Sequence, residues 1–218
     1  MLAFRYRSRA VLCFTLMAAQ AFFYNAIFFT YALVLTRFYG VADDRVGIYL
    51  FPFALGNFLG PLVLGRFFDS AGRRVMIALT YAASGIGLAA SGHAFAQGWL
   101  DATSQAACWA AIFFVASAAA SSAYLTASEV FPVEIRAVSI SIFYAAGTGA
   151  GGIIGPALFG MLVAGGSRDA LFHGYLLAAA LMCVAAAIAA ALGVDAERRQ
   201  LEHVAPPLGT AGGAGNEG

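Results

Sequence analysis

Residues 46–65 read VGIYLFPFALGNFLGPLVLG, residues 66–74 read RFFDSAGRR, and residues 75–96 read VMIALTYAASGIGLAASGHAFA. Two apolar runs thus flank a short link that holds Arg66, Asp69, Arg73 and Arg74. Each run reaches the roughly 20 residues that a helix needs to cross the hydrocarbon core of a bilayer. Hydrocarbon offers no hydrogen bonds, so a backbone crossing it must satisfy its own, and the runs are expected to be helices. The same pattern recurs on both sides. Runs at Ala10–Thr36, Thr103–Ser128, Ala137–Ala164 and Leu171–Val194 join Val46–Gly65 and Val75–Ala96, and none of the six contains Asp, Glu or Arg. The expected fold class is an all-α membrane protein with six transmembrane helices.

Composition agrees. Of the 218 residues 61% are hydrophobic and 11% charged, against about 25% charged in a soluble domain. Too few ionic groups remain to wet a globular surface. The net charge of +1 gives no broad attraction to nucleic acid, so a nucleic-acid partner is not expected. Cys13, Cys108 and Cys183 all lie inside apolar runs, without metal or disulfide spacing, and read as small hydrophobes.

All basic residues are arginines, and their distribution sets an orientation. With the N-terminus in the cytoplasm, that side receives Arg5, Arg7, Arg9, Arg66, Arg73, Arg74, Arg136, Arg198 and Arg199, and the other side Arg37, Arg45 and Arg168. Arginine-rich short loops stay inside. Both termini are therefore expected in the cytoplasm of a multi-pass protein of the plasma membrane. The expected organisation is a cytoplasmic segment 1–9, a six-helix domain 10–194 and a cytoplasmic tail 195–218 without apolar periodicity. A rival reading makes the N-terminus a cleaved signal, with Ala19-Gln20-Ala21 as the cleavage site. The apolar stretch, however, continues to Val34, past the roughly 7–15 residues of a signal's hydrophobic region.

Glycines mark contact faces. Gly147, Gly151 and Gly155 recur every four residues, as do Gly56 and Gly60, and small residues at that interval let helix backbones approach closely. Pro52, Pro61 and Pro156 interrupt the runs and free carbonyls that neighbouring helices or a cavity must satisfy. Gly147-Thr-Gly149-Ala-Gly-Gly152 matches a dinucleotide fingerprint but lacks the strand which that site requires. His93 and His173 fall near outer helix ends, and His203 in the tail. No nucleophile–base pair, metal cluster or cofactor motif is present, so neither an enzyme activity nor a cofactor or metal is expected.

The link Gly65-Arg66-Phe67-Phe68-Asp69-Ser70-Ala71-Gly72-Arg73-Arg74 has the form G-x-x-x-D-x-x-G-R-R. Gly65 and Gly72 permit a tight reversal, and Asp69 is expected near the start of the next helix, where the dipole favours a carboxylate. This link resembles the signature loop between the second and third helices of each half of a major facilitator superfamily transporter. Ser128-Glu129-Val130-Phe131-Pro132-Val133-Glu134-Ile135-Arg136 is similar to the E-x-F-P-x-x-x-R element after the tenth helix of the sugar porters in that superfamily. Asp195-Ala196-Glu197-Arg198-Arg199-Gln200-Leu201-Glu202 resembles the degenerate segment after their last helix. The order matches helices seven to twelve, the C-terminal half. The resemblance implies one half of the fold and a cytoplasmic ion-pair gate at Gly65, Asp69, Gly72, Arg73, Arg74, Glu129 and Arg136. In that gate Asp69 and Arg73 would pair among Glu129 and Arg136. The bland alternative is a set of solvated loop charges, worth at most about 1 kcal/mol per exposed pair.

Gln20, Tyr24 and Tyr31 share a helical stripe, with Asn25 beside them. Amides in hydrocarbon must face a cavity or another helix. The run resembles the seventh helix of sugar porters, where a Gln and an Asn five apart contact sugar hydroxyls, which implies substrate contact at Gln20, Tyr24 and Asn25. Interhelical packing is the alternative. The sequence departs from the sugar-porter pattern at Ser121, Ala123 and Tyr124, and around Ala145-Ala146-Gly147. The solute stays open among sugars, small organic acids, aromatic acids and drugs. No carboxylate lies within the spans except Glu129 at an edge, so a proton-coupling group of a symporter would lie outside this sequence. Six helices are half of the complement for alternating access. The expected partners are a small-molecule substrate, the lipid bilayer, and an N-terminal six-helix half or a second copy. A fragment, a split-gene product and a homodimer are all compatible. The competing reading is a non-transporting membrane subunit that binds through its glycine faces.

Overall fold

The computed structural model describes residues 7–193. The expected tail segment Asp195–Glu202, His203, and arginines 5, 198 and 199 lie outside them. The elements are α1 (Arg7–Phe28), α2 (Tyr31–Tyr39), a 3-10 turn (Asp43–Arg45), α3 (Val46–Ser70), α4 (Arg73–Ala96), α5 (Ala102–Glu129), α6 (Val133–Ala164) and α7 (Arg168–Leu192). Among the described residues there is no strand. With α1 and α2 counted as one broken span, six spans among the described residues are long and apolar enough to cross a membrane.

The break in the first span was not expected. It contains neither Pro nor Gly. The Thr30 N–H instead bonds to the Ile27 carbonyl at 3.1 Å, three residues back. The Thr30 hydroxyl donates to the Ala26 carbonyl at 2.6 Å, taking the place the amide would have filled. Helix α2 then ends on Gly40, whose φ of 65° is open to a residue without Cβ. At the far side of the bundle Asp101 caps α5 reciprocally: Ser104 N–H donates to Asp101 Oδ1 at 2.7 Å, and Asp101 N–H donates to Ser104 Oγ at 2.9 Å.

The helices pack in two rows. The front row runs α3, α5, α1, α6, and behind it α4 packs on α7, α4 on α5, and α7 on α1. The glycine stripes make the front row. A Cβ on Gly147 would stand 2.9 Å from Met17 Cβ, on Gly151 2.6 Å from Phe22 N, and on Gly155 2.8 Å from Asn25 Cβ. Helix α6 therefore lies backbone to backbone on α1. Gly56 and Gly60 seat α3 in the same way on the Ala110 and Phe114 carbonyls of α5. Both spacings read from the sequence serve close approach.

The central pair is enclosed and the edges are not. In their most apolar windows 56% of residues are buried for the α1–α2 span and for α5, against 17% for the α3 span and 11% for α6. Ile48, Phe51 and Phe58 of α3 and Ile153 and Met161 of α6 stand exposed. Two side chains identify the ends. Arg9 Nη1 donates to the Val130 carbonyl at 2.6 Å, and Arg74 donates to Ala190 O. The start of α1, the 71–72 and 130–132 turns and the end of α7 therefore gather at one arginine-rich end. At the opposite end Arg37 Nη2 reaches the Ala164 carbonyl at 3.0 Å.

Candidate functional site

Halfway along the front row, α1, α5 and α6 enclose a cleft of about 250 Å³ that contains Gln20, Tyr24, Asn25, Tyr124 and Thr148. Gln20 is buried at 6% exposure. Its Nε2 donates to the Ala116 carbonyl at 3.1 Å, while its Oε1 accepts no hydrogen bond. A buried acceptor without a donor costs about 1–3 kcal/mol, so this oxygen is suited to a group that enters the cleft. Tyr24 donates its hydroxyl to Asn57 Oδ1 at 2.8 Å and sets its ring edge-on to Phe113, 4.7 Å between centroids. Asn25 lines the same cleft, but its Nδ2 is bound to the Ala21 carbonyl of its own helix at 2.7 Å. Its Cβ is wedged against Gly155. Two of the three expected contacts thus present polar atoms away from their own helix, and the third mainly fills a helix contact.

Tyr31 leaves the stripe on which the sequence places it. The break at Phe29–Thr30 turns it into the core, where it is 1% exposed. There its hydroxyl donates to the Tyr49 carbonyl at 2.5 Å and its ring packs on Trp109, 4.6 Å between centroids. Two residues enter that sequence reasoning missed. Asn57 is the amide that holds Tyr24, and it is the one amide in the run 46–65. A lone polar side chain in a span was its available signal. Tyr144 of α6 brings its ring to 5.9 Å from that of Tyr124 of α5, which lines the cleft. A tyrosine in an apolar run is common at helix contacts, so no pattern marked it.

At the arginine end the signature loop corrects several expectations. Gly72 is the reversal, with φ of 95°. Gly65 is helical within α3 and has no part in the turn. Asp69 lies in the last turn of α3 rather than at the start of α4, so the dipole of its own helix does not favour it there. Its partner is Arg73, four residues on, at 3.5 Å. Arg73 also forms an ion pair with Glu129. The two side chains of that pair are 21% and 14% exposed, which places it between a solvated and a buried pair. Asp69, Arg73 and Glu129 are thus brought together. Arg74 is not in this cluster: its guanidinium covers the Ala190 carbonyl and so caps the C-terminal turn of α7. Nor does Arg136 reach Asp69. Its Nε donates to the Phe131 carbonyl at 3.4 Å, and its buried Nη2 has no hydrogen-bond partner. Asp69 and Arg73 border a second cavity of about 250 Å³ between α3, α4 and α5, with Ser122 and Thr126 on its wall.

The remaining sequence features behave as helix-packing residues. Cys13 is buried, Cys108 half-buried and Cys183 exposed, and all three are free thiols. The G-x-G-x-x-G match lies within α6. His93 packs against the rings of Trp99 and Phe172, and His173 Nδ1 lies 2.7 Å from the Asp169 carbonyl. Among the described residues no three His, Cys, Asp or Glu side chains gather as a metal site would need.

Among curated proteins none matches this chain. The family model of the Major Facilitator Superfamily matches residues 12–210. That stretch runs from the first turns of α1 through α7 and contains the cleft and both arginine-end loops, and the chain, a multi-pass membrane protein, belongs to the major facilitator superfamily.

Proposed function

We propose that the chain is the C-terminal six-helix half of a secondary active transporter that moves a small solute across the plasma membrane by alternating access, with the arginine end and both termini in the cytoplasm. The cleft carries this reading. It holds uncharged polar groups midway along apolar helices and opens on the front row, where α3 and α6 are least buried. Lipid tails cannot satisfy Gln20 Oε1 or the Tyr124 hydroxyl. A second six-helix body facing the front row, an N-terminal half or a second copy, would enclose them in a watered cavity, where such transporters hold their solute. Gln20, whose Oε1 has no hydrogen-bond partner, supports a sugar-porter-like site for a solute with hydroxyl or other hydrogen-bonding groups, with Asn25 five residues on in the same cleft but tied to its own helix. An aromatic acid or another small organic acid is the second choice.

The gate divides under this reading. Arg73–Glu129 joins α4 to α5 inside one body, so rocking of two bodies leaves it unchanged. Asp69, whose side chain is 66% exposed, is the group free to reach across. Uptake into vesicles carrying the chain, with and without an N-terminal half, tests the proposal. Gln20→Ala is expected to raise the apparent KM, and Asp69→Asn to impair transport, with membrane insertion intact in both. If no solute is taken up by the reconstituted pair, the reading fails and a non-transporting membrane subunit takes its place.

A further inference from the structure

The end of the bundle opposite the arginine-rich loops holds a cation that neither the cleft nor the gate uses. Arg168 is the first residue of α7, where a positive charge opposes the helix dipole. Its guanidinium turns away from α7. Nη1 donates to the Phe95 carbonyl at 2.9 Å and Nη2 to the Phe38 carbonyl at 3.2 Å. Phe38 lies in the last turn of α2 and Phe95 in the last turn of α4, where a helix leaves its carbonyls without an intrahelical donor; the Phe95 carbonyl also accepts from the Gly98 N–H at 3.1 Å. The guanidinium also lies over the rings of Phe95, Tyr39 and Phe38, at 4.8, 5.3 and 5.7 Å from their centroids. Among the described residues Arg168 forms no ion pair, so it is balanced by helix-end carbonyls and aromatic faces rather than by a carboxylate.

We propose that Arg168 is the positioning residue of α2, a fork that fastens this half-helix to α4 and α7. Helix α2 needs a fastening. The break at Phe29–Thr30 interrupts the regular hydrogen-bond ladder between it and α1, it is nine residues long, and a helix that short does not hold itself in isolation. Only Tyr31, Val34 and Leu35 of its residues are buried. Its other ties are also polar side chains: the Tyr31 hydroxyl to the Tyr49 carbonyl, Arg37 to the Ala164 carbonyl, and the Tyr39 hydroxyl to Gln105 Oε1 at 3.1 Å. Arg168 alone among these donates to the end carbonyls of two helices. That duty needs two donors held apart in one plane, which an arginine has and a lysine does not.

Amide hydrogen exchange of the full chain in lipid nanodiscs reads α2 directly, whether or not the chain moves a solute. Arg168→Gln is expected to speed exchange over residues 33–40 by roughly tenfold relative to residues 12–27 of α1, as two charge-assisted bonds are lost. Arg168→Lys keeps the charge and the ring contacts but not the fork, and is expected to match Arg168→Gln. If Arg168→Gln does not fold, Arg168→Lys carries the comparison. Unchanged exchange over 33–40, full retention by Lys, or equal acceleration in every helix would each overturn the proposal. The last of these would assign Arg168 to global stability.

Discussion

Gly149 and Gly151 lie two residues apart on α6 and have opposite surroundings. A Cβ on Gly149 meets nothing within 4 Å. On Gly151 it would stand 2.6 Å from Phe22 N, 2.8 Å from Ala21 Cβ and 2.9 Å from Ala21 C. Two of those atoms are backbone, so no side chain can swing aside. Helices α1 and α6 would have to part by roughly 1 Å, an overpacking strain of about 1–3 kcal/mol. Alanine also improves helix propensity by about 1 kcal/mol at either position. Because both sites are on one helix, that gain cancels in the comparison, and the difference between Gly149→Ala and Gly151→Ala isolates the packing strain. Gly149→Ala is expected to be neutral or slightly stabilising, and Gly151→Ala to fall below it by about 1–3 kcal/mol. For a chain of this length each kcal/mol is about 2–4 °C in Tm. Thermal unfolding of the purified variants in detergent, followed by loss of the monodisperse peak, measures it. A Gly151→Ala protein as stable as Gly149→Ala would refute the claim that α6 is seated on α1 by its glycine stripe.

Three further outcomes follow from particular contacts. Tyr24→Phe and Asn57→Ala should each destabilise the α1–α3 contact, and a double-mutant cycle on unfolding should return a coupling of about 0.5–1.5 kcal/mol; zero coupling would remove that hydrogen bond. Gly72→Ala forces a Cβ onto a φ of 95° and should cost about 1–3 kcal/mol in the same thermal assay, whereas Gly65→Ala, helical with nothing within 4 Å of its Cβ, should not. The Asp101 carboxyl titrates below its ordinary 3.8 because the Ser104 hydroxyl and N–H donate to the carboxylate. Its folded-state pKa is depressed, so its contribution to the α5 cap is present above pH 3.8 and lost as pH falls below that value. The Ser104 amide chemical shift should report this loss, and Asp101→Asn should abolish the titration.

What could be read from the chain alone was local or periodic. Six spans follow from run length and hydropathy because each helix satisfies its own backbone in lipid, whatever its neighbours. The faces of Gly56 and Gly60, and of Gly147, Gly151 and Gly155, follow from a spacing of four on a helix of 3.6 residues per turn. The reversal at Gly72 follows from its place between two runs. Pairing was decided only by tertiary structure. Arg73 and Arg74 are adjacent and equal in charge, yet one meets Glu129 and the other Ala190, because successive helical residues point about 100° apart and different helices stand in those directions. Asn57 joins the cleft through Tyr24, 33 residues away, a contact that exists only once α3 and α1 both lie against α5. Tyr31 left the cleft because Thr30 substitutes its hydroxyl for a backbone donor, and no threonine announces that choice in sequence. The membrane sets the least length of each apolar span, since its thickness acts on every span alone. The partners of the polar side chains depend on which helices become neighbours.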